Sequence, residues 1–146
     1  MAVRGQQSRQ IEDGDSMKSC LVYLYIDGKD FDPETFNKSL DSNLKGSIKI
    51  KKIAEIEFSG KYWVSKEIQV DPNGYSEDCL YDLLKSYKPS LLSLGALKTK
   101  RIFAKIITYY SDSTSLSGYS FSKELLGLLV EVGAEVDIDV YGPGEE

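Results

Sequence analysis

Apolar and polar positions alternate first along CLVYLYID, where Cys20, Val22, Leu24 and Ile26 fall on one side and Leu21, Tyr23, Tyr25 and Asp27 on the other. A period of two predicts a strand, because successive side chains leave opposite faces of the pleat. With aliphatic residues on one side and aromatic residues on the other, the strand is expected to be central. A turn over Gly28 to Asp30 precedes Asp32-Pro33-Glu34-Thr35, which predicts a helix start. Asp32 is the N-cap, Pro33 occupies the first helical position and Glu34 complements the dipole; Phe36 and Leu40 would dock the helix. Two β-prone stretches follow, Ser47 to Phe58 and Lys61 to Val70, separated by Ser59-Gly60 as in an antiparallel hairpin, with Trp63 in the second.

Beyond the turn signal Asp71-Pro72-Asn73-Gly74, the period changes from two to that of a helix, with Leu80, Leu83, Leu84 and Tyr87 on one face of a segment starting at Ser76. Pro89 is expected to end or kink it, with a further helical turn within Ser90 to Leu97. The β-branched and aromatic run RIFAKIITYY, Arg101 to Tyr110, predicts another strand, and Ser111 to Ser120 a polar loop. A last helix begins near Ser120 or Ser122, carries Leu125, Leu128, Leu129 and Val132, and ends at Gly133. The closing strand AEVDIDVYG sets Val136, Ile138 and Val140 against Asp137, Asp139 and Tyr141, then stops at Gly142-Pro143-Gly144. The order β-α-β-β-α-β-α-β predicts an α+β fold: a mixed, largely antiparallel sheet with helices mainly on one face and the other partly open. Residues 1–18 lack periodicity and read as a disordered or tail segment, with Met17 a candidate start, and residues 19–146 as a single domain.

Composition narrows the chemistry. The 146 residues suit one domain, 41% hydrophobic and 28% charged, and no apolar run approaches the ~20 residues of a membrane span. Without a signal-peptide core near the start, a soluble cytoplasmic protein is expected. Cys20 and Cys79 occupy apolar-facing positions and read as reduced thiols. The absence of histidine excludes Ser-His-Asp and Cys-His pairs, His-ligated zinc and an imidazole base. No catalytic residue, metal or cofactor is assigned. A net charge of −5 opposes nucleic-acid binding, which is largely cationic, and favours a basic protein partner.

Away from the aliphatic core, the strands carry Tyr23, Tyr25, Trp63, Tyr109 and Tyr141, interleaved with Asp27, Asp137 and Asp139 and followed by Asp30 in the turn. Aromatics of this kind anchor interfaces; the same residues would also serve as a second core layer beneath a helix. Asp27, Asp30 and Asp32 would meet Asp137 and Asp139 in a Mg²⁺ or Ca²⁺ site if the first and last strands were neighbours. Turn-holding and helix capping account for the same aspartates without a metal. Lys45, Lys49, Lys51 and Lys52, joined by Lys98, Lys100 and Arg101, form the basic density and read as a nucleic-acid patch or as lysines guarding a sheet edge.

Three landmarks carry a family resemblance: the opening strand running into YIDGKDFDPE, a tryptophan after a Lys/Gly-rich hairpin, and the ending GAEVDIDVYG. On Asp27 to Pro33, Gly46, Trp63, Gly133 through Asp139, and Tyr141, the chain resembles the bacterial domain-of-unknown-function family 4279 from about Leu21 to Gly142. It departs from that family where a G-x-x-K-G-like stretch is reduced to Lys45-Gly46. The resemblance implies an immunity role, neutralising a toxin by stoichiometric binding, and no chemistry. The expected function is therefore a non-catalytic protein-binding domain contacting its partner through Tyr23, Tyr25, Asp27, Asp30, Trp63, Asp137, Asp139 and Tyr141. A carboxylate-metal enzyme acting on a small or phosphorylated substrate through Asp27, Asp30, Asp137 and Asp139, and a structural or oligomerisation module, stand as alternatives.

Overall fold

The computed structural model describes residues 19–50, 60–70, 75–109 and 118–142. In chain order its elements are β1 (Ser19–Gly28), α1 (Pro33–Lys38), a 3-10 turn (Ser42–Leu44), β2 (Ser47–Ile50), β3 (Lys61–Val64), β4 (Ile68–Gln69), α2 (Ser76–Leu92), β5 (Lys100–Tyr109), α3 (Lys123–Val132) and β6 (Ala134–Tyr141). The expectations for the lead-in before residue 19, the hairpin tip up to Ser59, the Asp71 to Gly74 turn, the loop from Tyr110 to Ser117, and Pro143-Gly144 lie outside the described residues.

β1 is central, as its two apolar sides predict. It pairs antiparallel with β5 over its whole length, from Ser19 opposite Tyr109 to Gly28 opposite Lys100, and on its other edge with β3 and β4. β2 extends the sheet beyond β3, and β6 runs parallel to β5, giving the order β2-β3-β1-β5-β6. A parallel pair cannot be closed by a tight turn, so α3 makes the crossover. The result is α+β, a mostly antiparallel sheet with helices on one face.

Val22, Leu24 and Ile26 of β1 and Ile102, Ala104 and Ile106 of β5 meet Leu80, Leu84 and Leu91 of α2 and Leu125 and Leu129 of α3 in one buried cluster. Local signals set the helix ends. The Asp32 carboxylate accepts from the backbone N–H groups of Glu34 and Thr35 and from the Thr35 hydroxyl, and Ser122 Oγ accepts from Leu125 N–H. Gly133 closes α3 in the left-handed region at φ 75°, which glycine adopts without a Cβ clash.

Two expectations are corrected. α2 runs through Pro89 to Leu92, so the proline does not end it, and Ser93 N–H bonds to the Pro89 carbonyl at 3.2 Å. The stretch Lys61 to Val70 is not one strand. Val64 faces Tyr25 while Ile68 faces Val22, so four steps along the outer chain match three along β1. The extra residue is a bulge. Ser65 stabilises it: its backbone N–H bonds to Leu24 O and its hydroxyl accepts Leu24 N–H at 2.9 Å.

Candidate functional site

Alternate residues of the strands project away from the helices: Tyr23, Tyr25 and Asp27 from β1, Tyr62 and Val64 from β3, Arg101, Phe103, Lys105 and Tyr109 from β5, and Asp137, Asp139 and Tyr141 from β6. None of their rings belongs to the core beneath the helices. They cover one another instead. Tyr25 stacks on Tyr62 with centroids 4.8 Å apart and meets Phe103 edge-on at 5.8 Å, and Tyr109 stacks on Tyr141 at 5.3 Å.

The charges on this face are paired through the sheet register. Asp27 and Arg101 are directly opposite, and the guanidinium grips the carboxylate through Nε and Nη2 at 2.8 and 2.7 Å. The Tyr25 hydroxyl donates to the same carboxylate at 2.8 Å. Asp27 is fully buried by these partners although it lies on the open side. Burial and the bond to Asp27 push the Tyr25 phenol well above its ordinary value, and the same carboxylate raises Arg101. Lys105 bonds to Asp137 on the neighbouring strand, with its ammonium 5.5 Å from the Tyr25 ring centre and 5.7 Å from that of Phe103. Tyr23 is raised by burial first and then by Glu67, Asp139 and Asp137.

Beside the Ser65 bulge the face dips into a depression of about 220 Å³ between Tyr23, Tyr25, Tyr62, Val64, Glu67 and Lys105. Bulges commonly occur where a sheet must re-aim side chains. A second cleft, about 370 Å³, lies where the 3-10 turn and β4 meet α2 and includes Cys79. Burial pushes that thiol up, which disfavours the reactive thiolate.

Of the residues singled out from sequence, Tyr23, Tyr25, Asp27, Asp137, Asp139 and Tyr141 share the open face. Trp63 does not. It pairs with Ile26, a core position, so the parity of β3 turns it under the helices and turns Tyr62 outward. There it is fully buried between Phe36 and Tyr87, and its indole N–H donates to Asn37 Oδ1 at 2.9 Å. Gly46 belongs to the same packing, since a Cβ there would stand 2.0 Å from the Val64 carbonyl oxygen and 2.9 Å from the indole. Asp30 lies in the exposed turn after β1, its backbone N–H bonded to Thr99 Oγ1.

The condition for a carboxylate-metal site is not met: β5 separates β1 from β6. Asp27 stands opposite Arg101 and Asp139 opposite Ile107, roughly 20 Å apart along the strands at about 3.3 Å per residue. Among the described residues no cluster of three or more metal-ligating side chains occurs. The basic density is also dispersed. Lys45 bonds to carbonyls at the end of α1, Lys100 to Leu97 O, and Arg101 to Asp27; Lys49 lines the open-face depression with Lys105, Lys98 is exposed before β5, and Lys51 and Lys52 lie outside the described residues.

Sequence reading missed Tyr62, Phe103 and Lys105. Their signal was the alternation itself, since Phe103 and Lys105 share the parity of Arg101 and oppose Tyr25 and Tyr23.

The model of the domain of unknown function DUF4279 matches residues 17–143, nearly the whole chain. The chain belongs to this family. No curated protein and no solved structure matches it. Of the residues that carried the DUF4279 resemblance, Asp32, Pro33, Gly46, Trp63 and Gly133 serve the fold, whereas Asp137, Asp139 and Tyr141 lie on the open face. Among the described residues no helix is long and apolar enough to cross a membrane.

Proposed function

We propose that this DUF4279 domain is a non-catalytic protein-binding domain whose open sheet face receives a basic partner. The observation that carries the reading is a face on which no helix packs among the described residues, built from six aromatic rings, Tyr23, Tyr25, Tyr62, Phe103, Tyr109 and Tyr141, on neighbouring strands. Such rings supply large contact area at low entropic cost, because packing against one another already fixes them. Their hydroxyls and the paired charges between them favour a partner that brings its own hydrogen-bonding groups.

Charge supports the sign of the partner. The chain carries −5 overall, and Glu135 and Asp139 on β6 have no ion pair among the described residues, whereas Asp27, Arg101, Lys105 and Asp137 neutralise one another. Unpaired carboxylates beside an aromatic surface raise the association rate of a cationic protein. The biological form we put forward is that of a bacterial immunity protein, acting in the cytoplasm by occluding a basic toxin in a one-to-one complex.

The test is capture of a partner from the source lysate with the 146-residue protein, identification by mass spectrometry, and kinetics on the purified pair. Asp139→Lys leaves the Lys105–Asp137 bond in place and is expected to slow association by roughly tenfold at low salt while dissociation changes little. Association kinetics unchanged by Asp139→Lys and by Tyr62→Ala would remove the open face from the interface.

A further inference from the structure

β6 ends the sheet, and among the described residues nothing pairs with its outer edge. Alternate residues of this eight-residue strand therefore present backbone N–H and C=O groups outward, as any terminal strand does. What borders that edge differs above and below the sheet. On the open side stand Glu135, Asp137 and Asp139. On the helix side, Val140 is 41% exposed, and Leu126 and Val130 of α3, one helical turn apart, are 48% and 81% exposed.

The placement of α3 shows where that apolar pair points. Glu131 pairs with Lys88 of α2 at 3.0 Å, which fixes one flank of α3 against its neighbour. Leu125, Leu128, Leu129 and Val132 face the core. By the 100° step between residues, Leu126 lies about 110° from the centre of the core face, on the flank opposite α2, whereas Val130 lies about 150° from it, on the outer surface of the helix. Since α2 packs over β1 and α3 over β6, that flank overhangs the space beyond the β6 edge.

The geometry points to β6 as a strand-addition site for an extended segment of a partner protein that alternates basic with aliphatic residues. A strand hydrogen-bonded to β6 would lie ~4.8 Å beyond it. Its basic residues would come within cross-strand reach of Glu135 and Asp139, and its aliphatic residues would lie beneath Leu126 beside Val140. A second copy of this chain is a poor occupant. Antiparallel self-pairing of β6 with both helix layers on one side brings the carboxylates of residues 135, 137 and 139 opposite or diagonal to their own copies, and like charges so placed repel. The acidic row thus disfavours self-association while the apolar overhang has no cover among the described residues, and a basic-aliphatic strand answers both. This rests on the reading of the domain as a protein binder and specifies how a segment of the partner would be held.

The experiment uses a capped nine-residue peptide alternating lysine and valine, titrated into the isotope-labelled protein. Its controls are the same peptide with alternate N-methylated amides, a glutamate-valine version, and a scrambled version. The expected result is saturable binding that slows amide exchange along β6, weakened by roughly tenfold or more on N-methylation because several main-chain hydrogen bonds are lost. Leu126→Lys, at an exposed position, and Asp139→Lys, at a half-buried one, are expected to weaken binding several-fold with little change in melting temperature. Absence of binding, or binding unaffected by N-methylation, overturns the proposal. So does binding that perturbs the amides around Tyr23 and Tyr62 and leaves β6 unprotected, but that outcome leaves the open-face reading standing. The open face is decided separately by the association kinetics of Tyr62→Ala with the captured partner, since Tyr62 lies far from the β6 edge.

Discussion

The two faces of the sheet are made by alternate residues of the same strands, yet they are held by different physics. Beneath the helices, Val22, Leu24, Ile26, Ile102, Ala104 and Ile106 have no side-chain polar group to satisfy, so removal from water alone stabilises them, at roughly 25 cal/mol per Å². On the other side rings and charges are interleaved, and the buried carboxylate of Asp27 is accommodated with help from Arg101 and Tyr25, which replace water it loses. The covered face needs a second layer to be stable. The open face supplies its own partial cover and keeps hydroxyls and charges within reach of a visitor. That difference separates residues whose loss unfolds the protein from residues whose loss is felt at an interface.

The sharpest test compares two adjacent aromatics. Trp63→Ala removes a fully buried indole and its bond to Asn37, and is expected to cost about 3 to 5 kcal/mol in denaturant unfolding. Tyr62→Ala, one residue away on the other face, loses a half-exposed ring stacked on Tyr25 and is expected to cost about 1 kcal/mol. Equal losses would mean that the open face is core and would end the distinction. Next in size is Arg101→Ala, which leaves the Asp27 carboxylate buried with the Tyr25 hydroxyl as its remaining described donor. About 1 to 3 kcal/mol is expected, discounted because the guanidinium is half exposed. Arg101→Lys should recover only part, since an ammonium cannot reproduce the two-pronged grip.

Tyr25→Phe is expected to cost about 1.5 kcal/mol at neutral pH, the low end for a hydrogen bond to a charged acceptor, because the ring is kept and Arg101 still grips the carboxylate. It also carries a pH signature. The raised phenol of Tyr25 means that the unfolded chain, titrating near its ordinary value of about 10, releases this proton before the folded one. Its contribution is thus complete below about pH 10 and lost as pH rises towards the folded value. Tyr25→Phe should flatten the alkaline fall in stability, and tyrosinate absorbance should show one late-titrating phenol fewer.

Much of the fold was legible because its signals are local. The alternation of CLVYLYID and AEVDIDVY, the leucine spacing of α2 and α3, the Asp32-Pro33 start and the Gly133 stop each follow from neighbouring residues. The misread features depend on partners distant in sequence. Nothing within KYWV says whether Tyr62 or Trp63 faces the helices; the choice is made by pairing with Ile26 and by Asn37, which offers the indole an acceptor. The Ser65 bulge is set by Leu24, and α2 continues past Pro89 to bury Leu91 in the core, a partner-dependent gain that no local signal announces. The acidic-aromatic character of the open face was readable from parity on β1 and β6, but the insertion of β5 between them was not, and it is β5 that separates the aspartates and brings Arg101 and Lys105 among them.

The smallest effect asks whether the two faces can be perturbed independently. Asp32 caps α1, the helix that carries Phe36 against Trp63 and lies wholly on the covered side. Hydrogen bonds from Thr35 and then Glu34 hold its carboxyl below the usual carboxylate range. A depressed folded value means that this stabilisation is present above about pH 4, the unfolded value, and disappears as pH falls through the lower folded one. Asp32→Ala should therefore lower the melting temperature slightly at neutral pH, lose that difference in acid, and alter Trp63 fluorescence, while affinity for a captured partner stays unchanged. An accompanying loss of affinity would show that α1 reaches the open face through β3, whose Tyr62 and Trp63 are neighbours in the chain. The division between the two faces would then be one of composition and not of function.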